Sequence, residues 1–322
     1  MPAMEVSVVI PVRNAAQTLR RTLLALGEQT IDPSRYEVIV VDDGSTDDSV
    51  AVAESAGARV LRQSGLGPGQ ARNRGAAMAR GAVLAFTDAD CFPAPDWLEA
   101  GLAAMPGCAL VQGRVLPDPT SDRGPFDHTI WVVCESGLYE TANLFVRRQA
   151  FVDVGGFEDW LEVKIGKRLG EDVWFGWKVR RAGGCTAFAE DALVHHAVFP
   201  RRWHQYVLER RRLLYFPDLV RKVPELRRHF LHARLFVSPR SAAFAAAATG
   251  AVGATVLLAC SLPAYLVAAP LCLGIPYGWL IGRRALGAGS HGPKLAVADL
   301  LADAIGFAYL VRGSLRRRVV VL

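Results

Sequence analysis

Two aspartates one residue apart close an apolar run in this chain, Val83-Leu84-Ala85-Phe86-Thr87-Asp88-Ala89-Asp90. In an extended segment residues i and i+2 point to the same side. Asp88 and Asp90 would therefore project together, roughly 7 Å apart at the Cα atoms by strand rise. Like charges this close repel unless a cation sits between them. The ordinary alternative is an acidic turn at a strand end. Three more polar clusters follow apolar runs. Pro11-Val12-Arg13-Asn14 comes after Val6–Ile10, and Asp42-Asp43-Gly44-Ser45 ends the run that starts at Tyr36. Gly65-Leu66-Gly67-Pro68-Gly69 comes after Arg59-Val60-Leu61. Asp43 could accept hydrogen bonds from a base or ribose, or could form an Asx-turn that opens a helix. The glycine run allows close backbone approach to a ligand, with Arg72 at the start of the next helix; Arg72 as a plain surface arginine is the alternative.

These clusters need a scaffold that delivers them to one edge. Leu19, Leu23, Leu24 and Leu26 predict a helix over residues 16–29, with Asn14 available as its cap. Ser45 or Asp47 could start a second helix running to about Ala56, and a third is expected over 70–80. Apolar strands alternating with helices imply a parallel sheet covered on both faces. In such sheets ligands sit beyond the carboxyl ends of the strands, where all four clusters fall.

The chain has 322 residues, 51% of them hydrophobic, and a net charge of +6. Residues 201–240 hold eleven Arg or Lys against Glu209, Asp218 and Glu225, a larger net charge than that of the whole chain. Residues 241–282 then contain no charged residue and no histidine. Forty-two such residues suffice for two spans of about 20 each. Ser261-Leu262-Pro263 would make the turn, and Arg283-Arg284 follow at once. Basic residues at both ends suit a transmembrane or re-entrant hairpin over 241–284 with its ends in the cytoplasm. A buried helical hairpin in a soluble protein is the alternative. Leu295–Val311 is apolar but carries Asp299 and Asp303, which share a helix face. An amphipathic interfacial helix is expected there, within a 285–322 tail. The six cysteines form no C-x-x-C pair. No secretory signal precedes Val6, so the N-terminal part is expected to be cytosolic with reduced thiols.

SVVIPVRNAAQTL, VDDGSTDDS, GPGQARNRGA, FTDAD, TANLFVRR, GGF and GEDVWFGWKVRRAG occur in that order. Over roughly residues 4–200 the chain resembles family 2 glycosyltransferases, inverting enzymes of the GT-A fold that use nucleotide-diphospho-sugars. The resemblance implies an α/β, Rossmann-like domain over 1–200 with a mostly parallel central sheet, followed by a helical membrane-associated region. It implies that Pro11, Val12 and Arg13 line the nucleotide pocket, that Asp43 contacts the base, and that Arg72 lies near the base or diphosphate. Asp88 would sit near the ribose and metal. Asp90 would ligate Mg²⁺ or Mn²⁺, a hard cation able to neutralise the departing diphosphate. His196, from LVHH, would add a metal or phosphate contact, although a histidine packed beside a loop is an equal reading.

Inversion needs a base to take the acceptor hydroxyl's proton. The resemblance assigns it to Asp172 of GED, with Glu171 as neighbour. Acids at a helix start are also favoured by the helix dipole alone. Asn143, Trp131 and Trp174 would border the acceptor, although the tryptophans could simply be core. The chain departs from the family at Ala16, where an acidic residue is common. The segment WLEVKIGKRL between GGF and GED is somewhat long and is expected to act as a mobile acceptor loop or lid. The Q-x-x-R-W of processive synthases is not matched by WHQYVLERRR, which implies transfer of a single sugar. The expected acceptor is lipid-linked or glycan, at the cytoplasmic side of the cell membrane, in cell-wall or polysaccharide biosynthesis. Binding of nucleic acid would leave 241–282 unexplained. A degenerate nucleotide-sugar-binding or scaffolding protein would have no need of the base. A nicotinamide oxidoreductase would want G-x-G-x-x-G where PVRN stands.

Overall fold

The computed structural model describes residues 4–165 and 169–322, which form two bodies. The first comprises residues up to 122, 129–162 and the stretch ending at Phe199; the second comprises residues 123–128, a short segment around Lys164, and Pro200–Leu322.

The first body is built on one eight-stranded sheet of order β3-β2-β1-β4-β7-β6-β8-β5. Its strands are β1 (Val6–Val12), β2 (Tyr36–Asp42), β3 (Arg59–Arg62), β4 (Val83–Thr87), β5 (Cys91–Pro93), β6 (Leu110–Pro117), β7 (Asn143–Arg147) and β8 (Thr186–His196). Val6, Val8, Val9 and Ile10 have no exposed surface, as expected for a strand covered on both faces. The half formed by β3, β2, β1 and β4 is parallel. Beyond it the sheet is mixed. β7 runs antiparallel to both β4 and β6, β6 is parallel to β8, and β5 is antiparallel to β8. The expected mostly parallel sheet is therefore interrupted at β7, which is reached by a long connection rather than a helical crossover, and at the edge strand β5.

The helices of this body are α1 (Ala16–Gly27), α2 (Ser49–Ser55), α3 (Pro68–Met78), α4 (Trp97–Ala103), α5 (Arg148–Asp153) and α6 (Glu171–Arg181). Asn14 does not cap α1 with its side chain. It takes a left-handed backbone (φ 51°), and its Oδ1 accepts a hydrogen bond from Thr46 N. The amides leading into the helix, and its first one, are satisfied from the loop after β2 instead. Ser45 Oγ accepts from Asn14 N, Ser49 Oγ from Ala15 N, and Asp47 Oδ2 from Ala16 N. Asp47 also accepts from Ser49 N and Oγ, and these bonds hold its carboxyl below the usual range.

The second body is helical. It contains α7 (Trp203–Glu209), α8 (Phe216–Lys222), α9 (Leu226–His229), α10 (Pro239–Ala259), α11 (Ala264–Leu271), α12 (Ile275–Gly287) and α13 (Gly292–Arg317). The 21 residues of α10 span about 31 Å, roughly the hydrocarbon thickness of a bilayer. α11 and α12 run on through a 3₁₀ turn as a 24-residue apolar segment, Ala264–Gly287. Both segments are long and apolar enough to cross a membrane, with mean hydropathies of 1.8 and 1.6. Few of their residues are buried within the protein, unlike a core helix.

α13 departs from the expected interfacial helix. Its aspartates do not form an outward polar face. Asp299 is fully buried, where it accepts a hydrogen bond from Tyr206 Oη (2.6 Å) and pairs with Arg284 (2.8 Å) and Arg240 (3.0 Å). Asp303 pairs with Arg240 (2.7 Å) and accepts from Tyr277 Oη (2.8 Å). Two carboxylates can leave water here because arginines and tyrosines replace its hydrogen bonds. Val297, Leu300, Leu301 and Leu315 are exposed on the same helix, together with the basic Lys294, Arg312 and Arg316. Asp299→Ala leaves the buried Tyr206 Oη without its acceptor and removes one of the two carboxylates that neutralise Arg240, so it should destabilise by about 2 kcal/mol. Chemical denaturation in detergent micelles checks this, and Asp299→Asn should cost less because it still accepts from Tyr206.

Candidate active site

The sheet brings Asp88 and Asp90 to the end of β4, as a turn closed by Cys91 N donating to Asp88 O. Further bonds fix that turn. Thr22 Oγ1 donates to Ala89 O, Ala197 N to Asp90 O, and Thr87 Oγ1 to Ala142 O. The register of β5 against β8 sets Cys91 opposite His196. His196 is buried, and its Nδ1 lies 2.7 Å from Ala197 O and 3.2 Å from Thr129 Oγ1. This holds the ring so that Nε2 faces Asp90 Oδ1 at 3.7 Å. His195, one residue earlier, lies against Pro117 O instead. Asp90, Cys91 and His196 place one ligand atom each within 4.8 Å of one another. Burial and the two aspartates push the Cys91 thiol well up, and a thiol is a poor match for a hard cation such as Mg²⁺ or Mn²⁺. A carboxylate and an oriented imidazole remain, a donor pair that fits a divalent cation.

The glycine-rich loop is held by Asp43. Its Oδ1 accepts from Leu66 N (2.8 Å) and Gln63 Nε2 (2.9 Å), and its Oδ2 from Gly67 N (2.9 Å). Asp43 therefore ties down the third loop rather than forming an Asx-turn that opens α2; the local bond from Ser45 N goes to Asp42. Arg72, on α3, is not a surface residue. It is 4% exposed and pairs with Asp88 Oδ1, while its Nε is buried without a partner among the described residues. Pro11 is half-buried and Val12 buried in β1, and Arg13 is exposed beside them.

Four phenylalanines carry these pieces on one support. Phe86 of β4 packs edge-on against Phe157 of GGF, and Phe157 lies against Phe151 and Phe175 of α6. Asn73 of α3 clamps Phe157 by accepting from its N–H and donating to its carbonyl, each at 2.8 Å. Gly156 has φ +65°, and a Cβ there would meet Asn73 Oδ1 at 2.6 Å, which explains the second glycine of GGF. Gly69 lies against Glu171 and Phe157. The loop after β3, the GGF turn and the start of α6 are thus packed together.

Asp172 stands in the first turn of α6 and accepts from its own following amide, Val173 N, at 2.8 Å. Burial and then the adjacent Glu171 push its carboxyl well above the usual range; Glu140 adds to this and Arg72 opposes it. A carboxylate of raised basicity, partly open to solvent in the first turn of a helix, suits proton abstraction. Among the acceptor residues, Trp131 is 56% exposed and Trp174 is half-buried. Trp174 donates to Glu158 and has Arg181 over its ring. Glu171 is buried. Asn143 does not reach the site surface. It is fully buried, its Oδ1 accepts from Trp97 Nε1, and its Nδ2 donates to Arg114 O and Ala192 O. It ties β7 to β6 and β8, and a Cβ at Gly113 would collide with it.

The segment 160–169 is anchored where described. Trp160 Nε1 donates to Gly170 O, and the amides of Lys164 and Ile165 donate to Tyr215 Oη. The expected lid also includes residues 166–168, which lie outside the described residues. Sequence reasoning missed Asn73 and Glu140, since neither stands in a spacing that signals chemistry.

A parallel β1–β4 half, an acidic end to β4 and a carboxylate helix beyond GGF define a sugar-transferring α/β protein of the GT-A type. The profile of glycosyl transferase family 2 matches residues 7–191, more than half of the chain, which belongs to that family and is a glycosyltransferase. Glycosyltransferase AglE of Haloferax volcanii is 33% identical over 211 residues, 61% of this chain and 67% of that protein. Pre-mycofactocin glycosyltransferase of Mycobacterium tuberculosis is 32% identical over 60% of this chain, and the match spans only 42% of its own length. Among solved structures, the mannosyltransferase PcManGT from Pyrobaculum calidifontis, in complex with GDP-Man and Mn²⁺, superposes with a TM-score of 0.58. It is 17% identical over 98% of this chain and 87% of its own. S. aureus TarS 1-349 in complex with UDP-GlcNAc gives a TM-score of 0.53 at 18% identity, over 98% and 93%. At such identities the likeness concerns the fold.

Proposed function

We propose that this protein transfers one sugar, with inversion, from a nucleotide-diphospho-sugar to a hydroxyl of a lipid-linked or glycan acceptor at the membrane. The observation that carries this reading is the α3 start, which links both halves of the chemistry. Arg72 pairs with Asp88 of the metal-side turn, and Gly69 packs on Glu171 beside the base.

Asp90 and His196 would hold a divalent cation, with Asp88 beside them, and that ion supplies charge neutralisation for the leaving diphosphate. The imidazole makes Mn²⁺ a better match than Mg²⁺. Pro11, Val12 and Arg13 line the nucleotide side, and Asp43 presents the Leu66–Gly67 backbone to the base or ribose. Asp172 takes the proton of the attacking hydroxyl, and Glu171 next to it keeps its basicity high. Trp131 and Trp174 border the acceptor. The basic stretch 201–240 would lie on anionic headgroups at about 1 kcal/mol per well-placed charge. The exposed apolar segments Pro239–Ala259 and Ala264–Gly287 would enter the bilayer, with the catalytic body on the cytoplasmic side.

A thermal-shift screen of UDP-, GDP- and dTDP-sugars tests the reading on the purified full chain. One nucleotide class should raise the midpoint by several degrees with Mn²⁺ and lose that effect in EDTA. Absence of any donor-dependent shift would remove the proposal.

A further inference from the structure

Glu140 has no part in the mechanism so far, yet the structure sets it beside the base. The residue before it, Tyr139, takes a left-handed backbone (φ 53°), uncommon for an aromatic side chain. The face of α6 that carries Asp172 holds it there. Gly176 lies four residues after Asp172, on the same side of the helix. The Tyr139 ring fills the notch at Gly176, where an added Cβ would come within 2.1 Å of it. Tyr139 Oη donates to Glu135 and accepts from Arg180, so the ring is fixed at both ends. The next residue therefore arrives alongside Asp172, close enough for the two carboxyls to influence each other.

Asn143, three residues on in the same YETAN stretch, has its amide fully used within the fold. Glu140 does not. Its Oε2 is closed off from solvent and has no hydrogen-bond partner among the described residues. The neighbouring Gln112 shares this property: Nε2 donates to the carbonyls of Glu140 and Asn143, while Oε1 is buried and unpartnered. Buried polar atoms without partners are uncommon and costly, and beside a catalytic group they mark where a ligand completes the bonding.

We propose that Glu140 is an acceptor-recognition residue, whose Oε2 hydrogen-bonds an acceptor sugar hydroxyl next to the one that Asp172 deprotonates. This rests on the assignment of Asp172 as the base. A carboxyl suits the role because a sugar hydroxyl can both donate and accept, so either protonation state of Glu140 can pair with it. Burial pushes this carboxyl up, which makes the donating form accessible. An acceptor lacking the hydroxyl leaves the buried oxygen unpaired, and such sites discriminate strongly. Glu140 thus selects which hydroxyl pattern is accepted, while Asp172 performs the proton transfer.

The test uses the full chain in lipid nanodiscs with Mn²⁺ and either UDP or GDP. Octyl α- and β-glucosides, mannosides, galactosides and N-acetylglucosaminides, with their monodeoxy derivatives, are titrated by ligand-observed NMR. Wild type should favour one glycoside and lose at least 10-fold on removal of one particular hydroxyl. Glu140→Gln should weaken the parent glycoside about 10-fold and flatten the dependence on that hydroxyl, with nucleotide affinity unchanged. Glu140→Asp should restore part of the dependence. Wild-type selectivity in Glu140→Gln would overturn the proposal. A uniform loss of nucleotide and glycosides with a lowered thermal midpoint would also overturn it, as the mark of a structural role. Nucleotide binding by wild type without any glycoside binding removes the acceptor assignment alone. Loss of both in wild type removes the glycosyl-transfer reading of the site.

Discussion

Asp172→Asn is expected to reduce sugar transfer by about 10³-fold while leaving donor affinity unchanged. The asparagine keeps the size and polarity of the side chain but cannot accept the acceptor proton. Nucleotide release in the presence of acceptor measures the first quantity, and calorimetric titration of the donor measures the second. Unchanged turnover would remove Asp172 from the role of base. The pH dependence should agree. Only the ionised carboxylate accepts a proton, so transfer should rise with pH through a limb lying above the ordinary carboxylate range. Stability should move the other way. Because the folded-state carboxyl is raised, the folded chain binds more protons than the unfolded chain between the two titration points. Asp172 therefore contributes a loss of stability as pH rises across that window. Asp172→Asn should remove this loss, giving an inactive variant that is more stable at neutral pH.

Asp90→Ala is expected to abolish the metal dependence of donor binding. Wild type should bind the donor at least 10-fold more tightly with Mn²⁺ than in EDTA. In Asp90→Ala the two values should converge on the EDTA value. His196→Ala should weaken the Mn²⁺ effect as well. Its imidazole is buried between Thr129 and Ala197, so that variant also carries a packing cost, and its thermal midpoint should be read alongside. If Asp90→Ala retains the full Mn²⁺ effect, the ion is held elsewhere.

The parallel half of the sheet was legible because short, continuous β-branched runs alternating with helical periods depend on local sequence. Asp88 and Asp90 could be placed at a strand end for the same reason. The antiparallel entry of β7 was not legible, since it depends on where the connection after Pro117 returns. Asn143 shows the limit of motif reasoning, because a motif names a residue without saying whether its polar atoms are used within the fold. Glu140 shows the converse. The burial of its Oε2 without a partner among the described residues exists only in three dimensions, beside a tyrosine of left-handed backbone seated against Gly176 of α6. Asp299 and Asp303 were read correctly as sharing a helix face, but partner arginines 15 to 63 residues away in sequence turned that face inward.

The borrowed caps of α1 have a further electrostatic consequence. In many α/β proteins the helix following the first strand points open amides at a phosphate. Here Asp47 sets a carboxylate on the first amide of the helix, and Ser45 and Ser49 take the two amides before it, so the chain itself partly offsets the positive pole. An incoming diphosphate would draw on it less. Arg72 is likewise engaged with Asp88. In the proposed reaction Arg13 is then the exposed positive charge on the nucleotide side, and much of the compensating charge has to travel in with the donor. The donor is then recognised as an ion–nucleotide complex, and free nucleotide should be a poor ligand however well its base fits.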